Sequence, residues 1–324
     1  MNAWQSLKIA AFGTAIALML ALPLTAGATL TSEEVEAVAS QITVVIGQGL
    51  QKGDIEARQE WNPGSGAIVA RNGKRYYVLT ALHVVRTRDV VYGVRTSDGE
   101  VHLVDDLNVK SHIHPFGNEG GRIGDRIEGF DLAVIEFESD REYPVSAMGS
   151  SSQLQPDDVL YVSGWPNPDE DDENARRTRR TSQGNLTAIF RQPSVDGGYS
   201  LLYDNDTERG MSGGPVLNAK GELVGIHGRG QAQQQEYCID PNLSEENSCG
   251  MQTLHFINQA KIEGLQLPYE PPPVSPEVIE MGLAQQEEAD TINNIYDDFT
   301  FDLESLLRDG PSGGCGSLLL GDDC

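Results

Sequence analysis

Gly210-Met211-Ser212-Gly213-Gly214-Pro215 places one serine on a turn built largely of glycine. Glycine lets the backbone approach closely, so the N–H groups of Gly210 and Ser212 can both face a developing oxyanion. Such a turn is common by itself and gains meaning from two stretches upstream. Tyr77-Val78-Leu79-Thr80-Ala81-Leu82-His83 ends an apolar strand on a histidine. A serine hydroxyl is a weak nucleophile until a base takes its proton, and imidazole does this near neutral pH. Gly129-Phe130-Asp131-Leu132-Ala133-Val134-Ile135 heads a second apolar strand with an aspartate. A carboxylate entering a core needs a partner, and an imidazole N–H suits it. Taken singly, each has a plain structural reading: a tight turn, a core histidine, a turn aspartate.

Working outward, the pattern between residues 42 and 226 is short and β-like. Expected strands are 42–46, 67–70, 76–79, 90–94, 101–104, 132–137, 159–162, 186–190, 200–203, 215–217 and 223–226. Gly, Asn, Asp and Pro punctuate them, as in a barrel or sandwich. No strand–helix alternation supports an α/β sheet. Thr31-Ser32-Glu33-Glu34 has the form of a capping box before a short helix, roughly 33–40.

The order His83, Asp131, Ser212, with Gly64-Ser65-Gly66 before it and Gly225-Ile226-His227-Gly228 after it, resembles the chymotrypsin-fold serine peptidases. The likeness is to their bacterial trypsin-like and glutamyl endopeptidase branches, over about residues 40–267. It implies an all-β fold of two six-stranded antiparallel β-barrels with the active site in the cleft between them. The peptidase domain would cover 41–267, with a first barrel at 41–145 carrying His83 and Asp131. A second barrel at 146–267 would carry Ser212. The implied roles are nucleophile for Ser212, general base and then acid for His83, and orienting carboxylate for Asp131. Gly210 and Ser212 would form the oxyanion hole. The implied activity is endopeptidase cleavage through an acyl-enzyme, with no cofactor.

Three positions depart from the family. Met211 stands where trypsin-like enzymes keep the aspartate that binds a new N-terminal amine, so trypsin-style activation is not expected. Gly228 stands where a serine often bonds the catalytic aspartate, so support for Asp131 is expected from backbone donors or water. Leu82 replaces the more usual alanine beside the histidine. The specificity positions conflict. His227 and Thr207 match the pocket of glutamyl endopeptidases, and Arg229 adds positive charge. Asp206 matches the carboxylate of enzymes that cleave after Arg or Lys. If Asp206 and His227 both line the pocket they would cancel. The balance leans slightly to cleavage after acidic residues. Other readings are a cleft that binds without turnover and an Arg/Lys-directed enzyme; a quality-control protease of the HtrA kind is disfavoured, because that family usually adds a PDZ domain and the sequence after Pro268 lacks the strand pattern such a domain needs.

The composition bounds the partners. Against 23 basic residues stand 49 acidic ones, a net charge of −26. Such a surface repels phosphate backbones and anionic lipid, so the expected partner is a protein or peptide substrate. Residues 1–28 read as a signal peptide: Lys8, an apolar run over 9–24, then Ala26-Gly27-Ala28. After cleavage no stable membrane insertion is expected, and the location is secreted or periplasmic. Residues 29–40 form an N-terminal segment. Cys238, Cys249, Cys315 and Cys324 fit disulfides in an oxidising compartment, with three connectivities open. The run 167–180, five acids followed by four arginines, reads as a solvated, charge-compensated loop. His112 and His114 read as exposed loop histidines, and no metal site is expected. Residues 268–324 form a proline-led acidic tail, mostly mobile, with one short helix around 295–307. It could bind a partner or occupy the cleft.

Overall fold

The computed structural model describes residues 29–54, 61–105, 112–119, 126–168, 176–230, 247–262, 276–287 and 291. The expected signal peptide, the 295–307 helix, and Cys238, Cys315 and Cys324 lie outside these residues. Among the described residues no helix is long and apolar enough to cross a membrane.

The chain opens on α1 (Ser32–Ile42). Its start is as the sequence implies: Thr31 accepts from the Glu34 N–H, and the Glu34 carboxylate accepts from the Thr31 N–H. The two reciprocal bonds satisfy donors that a helix start leaves open. Seven strands then form one antiparallel sheet. They are β1 (Thr43–Gln48), β2 (Gly64–Asn72), β3 (Arg75–Thr80), β4 (Val91–Arg95), β5 (Val101–Asp105), β6 (Ile113–Glu119) and β7 (Ile127–Glu138). Their order across the sheet is β5-β4-β1-β2-β3-β7-β6. Six more strands close into a barrel in the order β10-β13-β12-β11-β8-β9. These are β8 (Val159–Gly164), β9 (Arg180–Ile189), β10 (Leu201–Tyr203), β11 (Pro215–Asn218), β12 (Leu223–Arg229) and β13 (Ser248–Gln252).

The second half is thus the expected six-stranded barrel. The first has seven strands, with β5 and β6 at its ends rather than paired to each other. The extra strand is β6, where the sequence had suggested a histidine-bearing loop. Pro115 lacks an N–H and is tolerated because β6 is an edge, and the register slips between Pro115 and Gly117. His114 is accordingly no free loop histidine: its Nε2 meets Glu136 Oε1 of β7 at 2.8 Å. Among the described residues no three His, Cys, Asp or Glu side chains group around a metal-sized space.

β7 explains how Asp131 enters the core. Seven consecutive residues from Asp131 to Phe137 are buried on both faces of the strand. The 167–180 run is corrected in its basic half. Arg177 is only 4% exposed. It donates to the Trp165 carbonyl and to Asn167 Oδ1, each at 2.6 Å. Arg179 pairs with Glu36 of α1, and Arg180 begins β9.

Among the described residues two helices follow the barrel: α2 (Thr253–Ile262), which follows β13 directly, and α3 over 276–287. Residues 276–287 of the expected tail are thus helical. Gly282 lies against α1 so closely that a Cβ there would stand 2.2 Å from the Ala37 carbonyl oxygen. Gln41 Nε2 donates to Gln285 Oε1 at 2.7 Å, and Ile279 is buried in the main core.

Candidate active site

His83 sits in a single 3₁₀ turn, Leu82–Val84, that leaves the end of β3. β3 pairs with β7 antiparallel from Arg75↔Glu138 to Thr80↔Ala133, so the residues after Thr80 meet those before Ala133. There Asp131 takes both donors of His83. Its Oδ1 accepts the His83 backbone N–H at 2.9 Å, and its Oδ2 lies 2.7 Å from Nδ1. The ring is thereby turned with Nδ1 as the protonated nitrogen and Nε2 left for other work. The Asp131 side chain is fully buried, whereas that of His83 is 22% exposed. Burial by itself raises the Asp131 pKa, but the charge and hydrogen bond of His83, then the Tyr199 hydroxyl, reverse it, and the net shift is downward.

Ser212 lies on the turn between β10 and β11. Gly210 and Gly213 hold φ of +96° and +85°, conformations that L side chains rarely adopt. The barrel fixes one side of the turn: Gly213 N–H donates to the His227 carbonyl at 2.8 Å, and His227 N–H to that of Gly214 at 2.9 Å. The sheet fixes the other through Ser65 of β2. Ser65 Oγ donates to the Gly210 carbonyl and Ser65 N–H to the Ser212 carbonyl, both at 2.8 Å. One buried serine from the first half thus clamps both ends of Gly210-Met211-Ser212. The backbone N–H groups of Gly210 and Ser212 donate to no described residue. Ser212 Oγ itself donates to the Gly228 carbonyl at 3.0 Å.

Of the pocket positions, Asp206 is turned away. It pairs with Arg180 at 2.5 Å, its side chain is 67% exposed, and Glu208 joins the same arginine. It does not cancel His227. Thr207 Oγ1 lies 2.7 Å from Ser248 Oγ. His227 is buried, and its Nδ1 lies 2.7 Å from the Tyr203 hydroxyl. Burial, and then the nearby His83, push its pKa down to about 3, so the ring is neutral at physiological pH. Arg229 does not reach towards that pocket through Nε, which donates to the Tyr199 hydroxyl at 2.7 Å. Cys249, in β13, is disulfide-bonded.

Gly228 is explained by a residue the sequence reading missed. The Tyr199 hydroxyl donates to Asp131 Oδ2 at 2.6 Å. A Cβ on Gly228 would stand 2.2 Å from Cε1 of that ring. Asp131 is therefore supported by a side chain, not only by backbone or water. The available signal was the pair Gly197-Gly198, whose φ of +70° and +69° bend the chain into Tyr199. Ser65, within the Gly64-Ser65-Gly66 motif, and Tyr203 likewise carry no local sequence signal for the contacts they make.

The sequence around this site is similar to that of known proteins. The family model for the trypsin-like peptidase domain matches residues 64–226, just over half of the chain. Human serine protease HTRA4 is 26% identical over 165 residues, 51% of this chain and 29% of that protein. The Bacillus subtilis serine protease Do-like HtrA is 25% identical over 185 residues, 55% of this chain and 36% of that one. The chain thus spans about a third of the length of these curated relatives. A solved HtrA-type protease with tripeptide aligns at 18% identity and a TM-score of 0.48, over 72% of this chain and 64% of that one. The matched segment begins at Gly64 on β2 and ends at Ile226 on β12, and so takes in His83, Asp131 and Ser212: this chain belongs to the trypsin-like peptidase domain family.

Proposed function

We propose that the protein is a serine endopeptidase working through Ser212, His83 and Asp131. The observation that carries this reading is the buried Asp131 holding His83 by two bonds, at 2.7 and 2.9 Å, beside a serine loop clamped by Ser65. In the proposed cycle Ser212 Oγ turns from the Gly228 carbonyl to His83 Nε2 and attacks the scissile carbonyl carbon. His83 takes the hydroxyl proton as the Oγ–C bond forms. It returns that proton to the leaving amine as the C–N bond breaks. Water, activated by the same imidazole, then hydrolyses the ester. The N–H groups of Gly210 and Ser212 are assigned to the oxyanion. Asp131 stays ionised throughout, in keeping with its lowered pKa.

The test is labelling of the folded protein by a fluorophosphonate, which reacts only with an activated serine. Labelling is expected, with loss in both Ser212→Ala and His83→Ala. The second reading, a cleft that binds peptides without turnover, takes its support from Ser212 Oγ bonding Gly228 instead of His83. No labelling of folded protein would favour it.

For specificity we propose an acidic side chain before the scissile bond, held by hydrogen bonds rather than by an ion pair. Thr207, Ser248 and neutral His227 supply uncharged polar groups, while Asp206 is engaged with Arg180. A peptide panel varying only that side chain should give faster cleavage after Glu than after Arg or Lys; the reverse order would remove the assignment. Export is proposed on the 1–28 segment and on the disulfide at Cys249, which fits an oxidising compartment.

A further inference from the structure

We propose that Tyr199 is a positioning residue for His83, acting through Asp131 in the place of the family's serine, and that position 228 is glycine because the Tyr199 ring occupies the space. For its catalytic consequence this rests on the serine-peptidase reading above. The geometry stands independently of it. Asp131 Oδ2 has two side-chain donors, His83 Nδ1 at 2.7 Å and the Tyr199 hydroxyl at 2.6 Å. The hydroxyl is itself fixed, because it accepts from Arg229 Nε at 2.7 Å while donating to the carboxylate. A phenol that both accepts from a cation and donates to an anion has one orientation, so it holds Oδ2 at one place.

The backbone is shaped around the same ring. The Asp131 N–H donates to the Gly197 carbonyl at 2.8 Å, tying the Tyr199 loop to the head of β7. A Cβ at Gly197 would stand 2.8 Å from the ring and 3.2 Å from Asp131 Cβ. Gly228 faces the ring from the opposite element, β12, at the 2.2 Å already described. Two glycines on two different elements thus leave room for one tyrosine. Burial and the Asp131 charge drive the Tyr199 pKa well up, so the hydroxyl keeps its proton and remains a donor at working pH. The serine of other family members would reach the carboxylate from position 228; here the donor arrives from the 190–199 loop instead, and the two solutions exclude each other sterically.

The experiment compares wild type with Tyr199→Phe, Tyr199→Ala, Gly228→Ser and the double variant Tyr199→Ala/Gly228→Ser. Two readouts are taken: steady-state hydrolysis of a peptide substrate, and the proton NMR resonance of His83 Nδ1–H. Tyr199→Phe keeps the ring and deletes only the donor. A lost hydrogen bond to a charged group corresponds to a kcat lower by roughly 10- to 100-fold. KM is expected to stay within about twofold, as for an interaction that acts on the transition state. The Nδ1–H resonance is expected to move downfield, because Oδ2 then leans on one donor rather than two. Gly228→Ser alone is expected to lose activity by the clash. In the double variant the serine hydroxyl replaces the phenol, and kcat should recover at least about tenfold over Tyr199→Ala. An unmoved resonance in Tyr199→Phe, or a double variant no better than Tyr199→Ala, overturns the proposal. The resonance needs no turnover. If it moves in a wild-type background that hydrolyses nothing, the positioning role stands and the peptidase reading falls.

Discussion

Asp131→Asn is expected to lower kcat/KM by roughly 10⁴-fold, the scale set when the carboxylate of such a triad becomes an amide. The geometry gives the reason. Asp131 accepts three bonds, from His83 N–H, His83 Nδ1 and Tyr199. An asparagine has one acceptor oxygen and one NH₂ group. If the NH₂ stands at Oδ2, it faces Nδ1 as a donor and forces the ring proton onto Nε2. The nitrogen that should receive the Ser212 proton is then already protonated. If the amide is flipped, the NH₂ faces the His83 backbone N–H, and two donors oppose each other in a fully buried site. The first orientation leaves the imidazole in the wrong tautomer, and the second keeps the tautomer only at the cost of that buried clash of donors. Steady-state kinetics with a melting curve checks this, and a loss below about tenfold in a folded variant would show that Asp131 does not orient His83.

Gly213→Ala is expected to be the most damaging single-methyl change, with activity down by roughly 10²-fold or more and stability down by about 2–5 kcal/mol. The added Cβ would stand 2.2 Å from the Ser65 carbonyl oxygen and 2.2 Å from Thr80 Oγ1, with Ala81 N at 3.0 Å. These are not flexible ends. The Ser65 oxygen is in β2 and already accepts from Thr80 Oγ1 at 2.6 Å. The φ of +85° adds strain of its own. Relief requires the serine loop to lift off the sheet, which breaks the Ser65 clamp. Thermal unfolding and kcat/KM measured together check the expectation. A variant as stable and active as wild type would mean that the loop is not held as described.

The His83–Asp131 pair and the Ser212 turn, proposed as the triad, stood out in the sequence because each sits in a local pattern that announces its own surroundings: a histidine closing an apolar strand, an aspartate opening one, a serine on a glycine turn. The strands bearing them were legible for the same reason. Tyr199 was not. Its function depends on how a loop with two left-handed glycines returns to β7, and that is tertiary information. Gly228 was visible as a departure, yet the residue filling its space lies 29 positions earlier in the chain. β6 was missed because Pro115 and Gly117 break the alternation, although an edge strand tolerates both. The α3 helix was missed because it lies in a proline-led acidic stretch and is interrupted by Gly282; the close approach of Gly282 to α1, the Gln41–Gln285 bond and buried Ile279 are tertiary contacts that show what holds it. Asp206 and His227 conflicted on paper because spacing alone cannot tell a carboxylate in a pocket from one paired with a surface arginine.

Met211 has a consequence beyond its place in the motif. Its side chain is buried in the barrel interior with Leu160, Val162 and Val216. The loop is therefore anchored by apolar packing on one side and by Ser65 of the opposite half on the other. In a peptidase of the proposed kind, maturation needs no liberated amine to set this loop. Docking of the two halves is the enabling event. A chain still being made, or one whose halves have come apart, would have its nucleophile on one body and its base and clamp on the other, and would be inert toward its neighbours. Hydrolytic competence then becomes a property of the completed tertiary structure, arising and disappearing with the contact between sheet and barrel.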